Sequence, residues 1–181
     1  MERLSETLNS VNDWLKFAEA KNAVLVAASG VGIWGCFRMA VLPATNCYVD
    51  VYLAIVALFM SLGFITSLLS FLPVLEYRWI VPRFEENRGG NLLYFGHLAT
   101  FSKSELLKKY REATGSKESD VNELHSMYAE QVIINSRIAL AKFAFFERAV
   151  NFVLWGVLTP VLAVPLLYFA KKRRKATDGV G

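Results

Sequence analysis

Apolar residues along this chain gather in three long runs, Ala23 to Leu42, Tyr48 to Leu75 and Val150 to Ala170, with a charged segment between the second and the third. Each run is near or above the roughly 20 residues that carry a helix across about 30 Å of hydrocarbon. The pattern predicts an all-α integral membrane protein with about three transmembrane helices and a small helical cytosolic segment between the second and third. In residue terms it divides into an amphipathic helix (1–22), a two-span hairpin (23–75), the cytosolic segment (76–148), the third span (149–170) and a basic tail (171–181).

Within the first part, Leu4, Leu8, Val11, Leu15 and Ala18 recur at helical spacing, which predicts a helix lying against headgroups or a neighbouring helix. Gly30, Gly32 and Gly35 sit among alanine and serine in the first span, a composition that lets helices approach closely in lipid. The second run would be about 42 Å long if wholly helical, so it must tilt or project, with Tyr77, Arg78 and Trp79 as an interfacial anchor. Ser102 and Glu105 have capping-box spacing and predict a helix from Lys103 to about Ala113, stopped by Gly115. Asp120 with Glu123 repeats that signal. A helix from Val121 past Asn151 comes next, with Leu124, Tyr128, Gln131, Asn135, Ile138, Ala141 and Phe145 on one stripe leading into the third span.

Composition agrees with a membrane protein: 54% of the 181 residues are hydrophobic, and mean hydropathy is +0.33, more apolar than a soluble fold of this size needs. The net charge of +4 is read first as topology. Placing the N-terminus and the middle segment in the cytoplasm satisfies fourteen of the 20 Lys and Arg residues, in line with the positive-inside rule. Three crossings then put the tail Lys171 to Lys175 on the far side, unless Pro160 and Pro165 turn the last run back as a re-entrant path. Arg38 near the end of the first span is read as snorkelling to the interface rather than lining an aqueous path. Met1 to Lys21 is too polar for the core of a cleavable signal.

Cys36 and Cys47 leave two readings open, a turn disulfide or two free thiols, and with only His97 and His125 besides, a metal site is not expected. No Walker A loop, Rossmann fingerprint, zincin motif or nucleophile elbow is present, so no catalytic residues are assigned and the chain is not expected to be an enzyme. Basic residues of the middle segment alternate with acids, which argues against polymeric nucleic acid as a partner.

Candidate binding chemistry sits in the run from Arg88 to Phe101. Gly89 and Gly90 free backbone amides to converge on an anion, Arg88 supplies charge, Asn91 comes directly after them, Tyr94 offers a stacking face and His97 a donor. The plain alternative is a turn and aromatic wedge that seats the cytosolic layer. Gln131, Asn135, Ser136 and Lys142 mark the long helix as a coupling element, with an interhelical seam as its plain alternative.

Three pieces of sequence carry a resemblance. Glu19-Ala-Lys21 with Ala23, Asn91-Leu-Leu-Tyr-Phe-Gly-His97-Leu-Ala, and Gln131-(x4)-Ser136-x-Ile138-(x3)-Lys142-Phe143 occur in order before, between and ahead of the apolar runs. They resemble the membrane effectors of Pycsar, the pyrimidine-cyclase anti-phage system, whose elements read Asp-x-Lys-Ala, Asn-x-x-Tyr/Phe-Phe-Gly-His-Ile-Ala and Gln-(x4)-Ser-x-Ile-(x3)-Lys-Tyr. This chain departs with Glu19 for Asp, an inserted Asn22 and Phe143 for Tyr. The resemblance implies a multi-pass protein of the bacterial inner membrane that holds no cofactor and is activated by a cyclic pyrimidine mononucleotide, cCMP or cUMP, from a partner cyclase. It implies membrane damage and growth arrest on phage infection. Because three crossings cannot enclose a polar path in one subunit, homo-oligomers within the lipid are expected. Two other classes compete: a membrane scaffold or partner-binding subunit without ligand gating, and a membrane hydrolase using His97 with Glu85 or Glu105.

Overall fold

The computed structural model describes residues 2–41, 47–72, 91–115 and 123–178, and its regular elements there are all helices. They are α1 (Glu2–Ala40), α2 (Cys47–Leu69), α3 (Phe95–Leu98), α4 (Lys103–Thr114) and α5 (Glu123–Asp178). Arg88, Gly89 and Gly90, the Tyr77 to Trp79 anchor, Glu85, and the capping signal at Asp120 lie outside the described residues. The chain divides into two compact units. One comprises Met1–Ala23 with Leu69–Phe146, the other Val24–Leu68 with Glu147–Gly181.

The first unit is built on the amphipathic stripe of α1. Leu4, Val11 and Ala18 are buried, and Leu8 and Leu15 pack against the same cluster, which contains Phe95, Leu98, Leu106, Tyr110, Val132 and Ile133. Of the two expected neighbours for that stripe, headgroups or helix, the structure supplies helices. α4 starts where the capping signal places it: the Ser102 hydroxyl accepts from Glu105 N at 3.3 Å, and Ser102 N donates to the Glu105 carboxylate at 2.8 Å. Gly115 closes it in the left-handed conformation (φ 66°), a region open to glycine at no steric cost. Replacing Ser102 by alanine should destabilise the first unit by about 1 kcal/mol, the usual cost of a lost N-cap, read by thermal unfolding in detergent.

On α5 the buried positions include Ala129, Val132, Ile133, Ser136, Ala139, Ala141 and Phe145: the last two belong to the expected stripe, whereas over the first turns the buried face lies one residue round from it, so Leu124 and Gln131 are exposed. The reason lies in residue size. Alanine and serine at 129, 136 and 139 allow close packing, which a stripe drawn through the larger side chains misses. α5 stays helical through Pro160 and Pro165.

In the second unit the buried positions of α2 are Leu53, Val56, Met60, Gly63 and Ser67, alternating by three and four residues as in a heptad seam. Cys36, a free buried thiol, packs with Leu53, Val56 and Met60. Close approach explains the glycines. A Cβ on Gly32 would lie 3.1 Å from Met60 Sδ, and one on Gly63 would lie 2.8 Å from Val153 Cγ2 and 3.2 Å from the Ala149 carbonyl oxygen, whereas Gly35 has open space. α2 ends at Leu69, shorter than the expected run, with Leu72 N returning to Leu69 O at 3.2 Å. Pro73 comes next, and the residue before a proline is disfavoured in the α region.

Two described helices are long and apolar enough to cross a membrane: Arg3–Ala40, with mean hydropathy 1.5 in its best window, and Val49–Leu69, with 2.2. Only 11% and 28% of those windows are buried, the reverse of what the core helix of a soluble protein shows. Val31, Trp34 and Phe37 on α1 and Leu58 and Ile65 on α2 present bare apolar surface, as lipid-facing positions do.

Candidate functional site

The short stretch around α3 is shaped by its own side chains. Asn91 Oδ1 accepts from Leu93 N at 2.9 Å, an Asx turn that leads Tyr94 in with extended backbone (φ −104°, ψ 115°). A Cβ on Gly96 would overlap the Tyr94 ring, so glycine is the residue that fits there. The His97 ring stands edge-on to Tyr94 with centroids 5.1 Å apart, and its carbonyl accepts from the Thr100 hydroxyl at 2.8 Å. Phe95 and Leu98 turn inward and are buried. Arg137 on α5 fastens the segment, donating from Nε to the Ala99 carbonyl at 2.9 Å. Tyr94 and His97 thus lie side by side, while Asn91 serves the turn.

A second cluster joins the other two sequence elements. Lys142 Nζ lies 3.0 Å from Glu19 Oε1 and donates to the Ser70 carbonyl at 3.0 Å. Asn22 is fully buried beside it, donating through Nδ2 to Ala18 O at 3.0 Å and to Lys142 O at 3.2 Å. Lys21 sits over Phe17 at 4.4 Å and over Phe146 at 5.2 Å. Phe143, next to Lys142, stacks on Phe95 with centroids 5.4 Å apart, and Trp14 reaches Phe95 at 5.5 Å. The three elements separated in sequence therefore converge in one unit: Glu19 and Lys21 meet Lys142 and Phe143, and Phe143 meets Phe95.

The remaining coupling residues do not share one role. Asn135 Nδ2 donates to Asn12 Oδ1 at 2.8 Å, Ser136 is fully buried with no partner for its hydroxyl among the described residues, and Gln131 is exposed. Ser70 Oγ and Asn22 Oδ1 are likewise buried without a protein partner there. Sequence reasoning did not single out Asn22 or Ser70 as part of a site. The signal for Asn22 was present, an amide inserted next to an apolar run, where a buried polar group needs partners.

The Lys142 pair is asymmetric, and that decides what its variants do. Lys142 is 9% exposed at its side chain and Glu19 45%, so removing the carboxylate strands a buried ammonium, whereas removing the lysine frees a carboxylate to hydrate. Glu19→Ala should cost about 2 kcal/mol, below the 3–5 kcal/mol of a fully buried pair because Glu19 is half in water. Lys142→Met should cost about 1 kcal/mol, chiefly the donor lost at the Ser70 carbonyl. Denaturant unfolding in detergent checks the order. A larger loss for Lys142→Met would mean that the Ser70 carbonyl, and not Glu19, holds the ammonium.

Glu105 is committed to its cap: the Ser102 backbone N–H, then the Ser102 hydroxyl, hold its carboxyl below the ordinary range. Burial pushes the Tyr110 phenol up. Among the described residues no three His, Cys, Asp or Glu side chains gather into a metal site.

Neither curated proteins nor solved structures give a match to this chain. A family model does: the Pycsar effector protein domain (PycTM) matches residues 3–169, a span that takes in both candidate membrane helices and all three converging elements. With that match running over most of its length, the chain belongs to the Pycsar effector family.

Proposed function

We propose that this chain is an anti-phage effector of the bacterial inner membrane, switched on by a cyclic pyrimidine mononucleotide, cCMP or cUMP, to impair the membrane and arrest the cell. Membership of the Pycsar effector family supports the effector role and implies a cyclic nucleotide signal from a cyclase partner; it is the observation that carries the reading. Two exposed apolar helices support a place in the membrane. The third apolar run would add a crossing, with the middle segment in the cytoplasm, and several copies would be needed to line any polar path.

The switch works as a population shift. A resting assembly keeps the spans sealed, and the nucleotide binds the damaging arrangement more tightly. Moving such an equilibrium from 1:99 to 99:1 takes a difference of about 5.5 kcal/mol in binding free energy between the two states. The converging elements around Lys142 suit the resting lock, because one ion pair and one carbonyl there fasten α1, α5 and the segment after α2 within the first unit.

Growth with and without a co-expressed pyrimidine cyclase tests the reading. Arrest only in the presence of an active cyclase is expected. Equal growth in both cases would leave the ungated scaffold as the better account, and turnover of the nucleotide abolished by His97→Ala would point to the hydrolase.

A further inference from the structure

A cavity in the first unit has the size and lining for the proposed ligand. It measures about 530 Å3 and opens between the first turns of α1, the Asx turn and the end of α4. That lies within the range of about 300–1,000 Å3 usual for small-molecule sites. Leu92 and Leu93 form an apolar side, Thr7 and Tyr110 a hydroxyl-bearing side, and Arg3 and Glu6 bring charge.

Four observations make this cavity more than a gap in packing. Arg3 lies in the first turn of α1, where a cation opposes the helix dipole, so helix stability does not account for it. Among the described residues neither Arg3 nor Glu6 has an ion-pair partner, although they are one turn apart. The Thr7 hydroxyl donates to the Arg3 carbonyl at 2.9 Å, so in its contact with Tyr110 the phenol is the donor, and the Tyr110 oxygen keeps a lone pair to accept with. Leu93, finally, is 79% exposed, a bare apolar side chain beside a cavity that a flat ring could fill.

We propose that this cavity is the nucleotide site. Arg3 takes the cyclic phosphate monoanion, Leu92 and Leu93 close on the pyrimidine ring, Glu6 accepts from the base, and Tyr110 accepts from the ribose 2′-hydroxyl. Both pyrimidines offer Glu6 a donor, the 4-amino group of cytosine or the N3–H of uracil. The assignment rests on the reading above that a cyclic pyrimidine nucleotide is the signal.

Calorimetric titration of the full chain in detergent with cCMP and with cUMP tests it. Wild type should bind at least one of them, Arg3→Ala should weaken binding tenfold or more, as expected for a lost charge-assisted hydrogen bond, and Arg3→Lys should recover part of the loss. Leu93→Asp, made at an exposed position that the core does not need, should also weaken binding by repelling the anion, and its melting temperature without nucleotide should equal that of wild type. Binding by wild type that Arg3→Ala and Leu93→Asp leave unchanged would overturn this site while the functional reading stood. No binding of either nucleotide by wild type would overturn both.

Discussion

Replacing Gly63 by leucine will disrupt the second unit, whereas the same change at Gly35 will leave it folded. At Gly63 the first added carbon already meets Val153 Cγ2 at 2.8 Å and the Ala149 carbonyl at 3.2 Å. The valine can rotate, but the carbonyl belongs to a helix backbone and cannot. Alanine at this position should come out near neutral, because about 1 kcal/mol gained in helix propensity offsets a small overpacking cost. Leucine adds three further carbons where none fits, and its cost should exceed the usual 1–3 kcal/mol of an overpacked core. Gly35 has nothing within 4 Å of its would-be Cβ. Size-exclusion profile and melting temperature in detergent read both variants, and a Gly63→Leu protein as stable as wild type would mean that α2 and α5 do not pack through this glycine.

Breaking α5 at Arg148 will separate nucleotide binding from toxicity. Residues of this helix up to Phe146 belong to the first unit and those from Glu147 to the second, and both Glu147 and Arg148 are exposed. Arg148→Pro deletes a backbone donor and sets the ring against the carbonyl one turn back, at a cost of about 3 kcal/mol or more. It removes no core side chain and leaves the residue count of the helix unchanged. If the signal travels along α5, the variant will bind nucleotide in detergent and fail to arrest growth. Persistent toxicity would place the coupling elsewhere, with the Lys142–Ser70 contact at the end of α2 as the next route.

How far the sequence was readable depended on whether a feature is local. The α4 boundaries were legible because Ser102, Glu105 and Gly115 each act on their own backbone within a turn. The apolar stripe of α1 was legible for a similar reason, since period and burial coincide at Leu4, Val11 and Ala18. The face of α5 was legible at Ala141 and Phe145 but not over its first turns, because Ala129, Ser136 and Ala139 are small, and which face a helix buries there depends on what packs against it. In the site, Tyr94 and His97 are three residues apart and share a turn, so their contact could be foreseen. The Glu19–Lys142 pair joins residues more than a hundred positions apart, and no local rule pairs them. Arg3, Glu6 and Tyr110 were silent in sequence for the same reason: their cavity exists only once α4 is laid beside the start of α1.

Gating of membrane damage by a cyclic pyrimidine nucleotide can be read as conductance across a planar bilayer holding the purified chain. The membrane should stay quiet until cCMP or cUMP is added on the side of the middle segment, and then show a rise in current that Arg3→Ala shifts to higher nucleotide concentration. Current that is the same before and after addition of either nucleotide would contradict such gating.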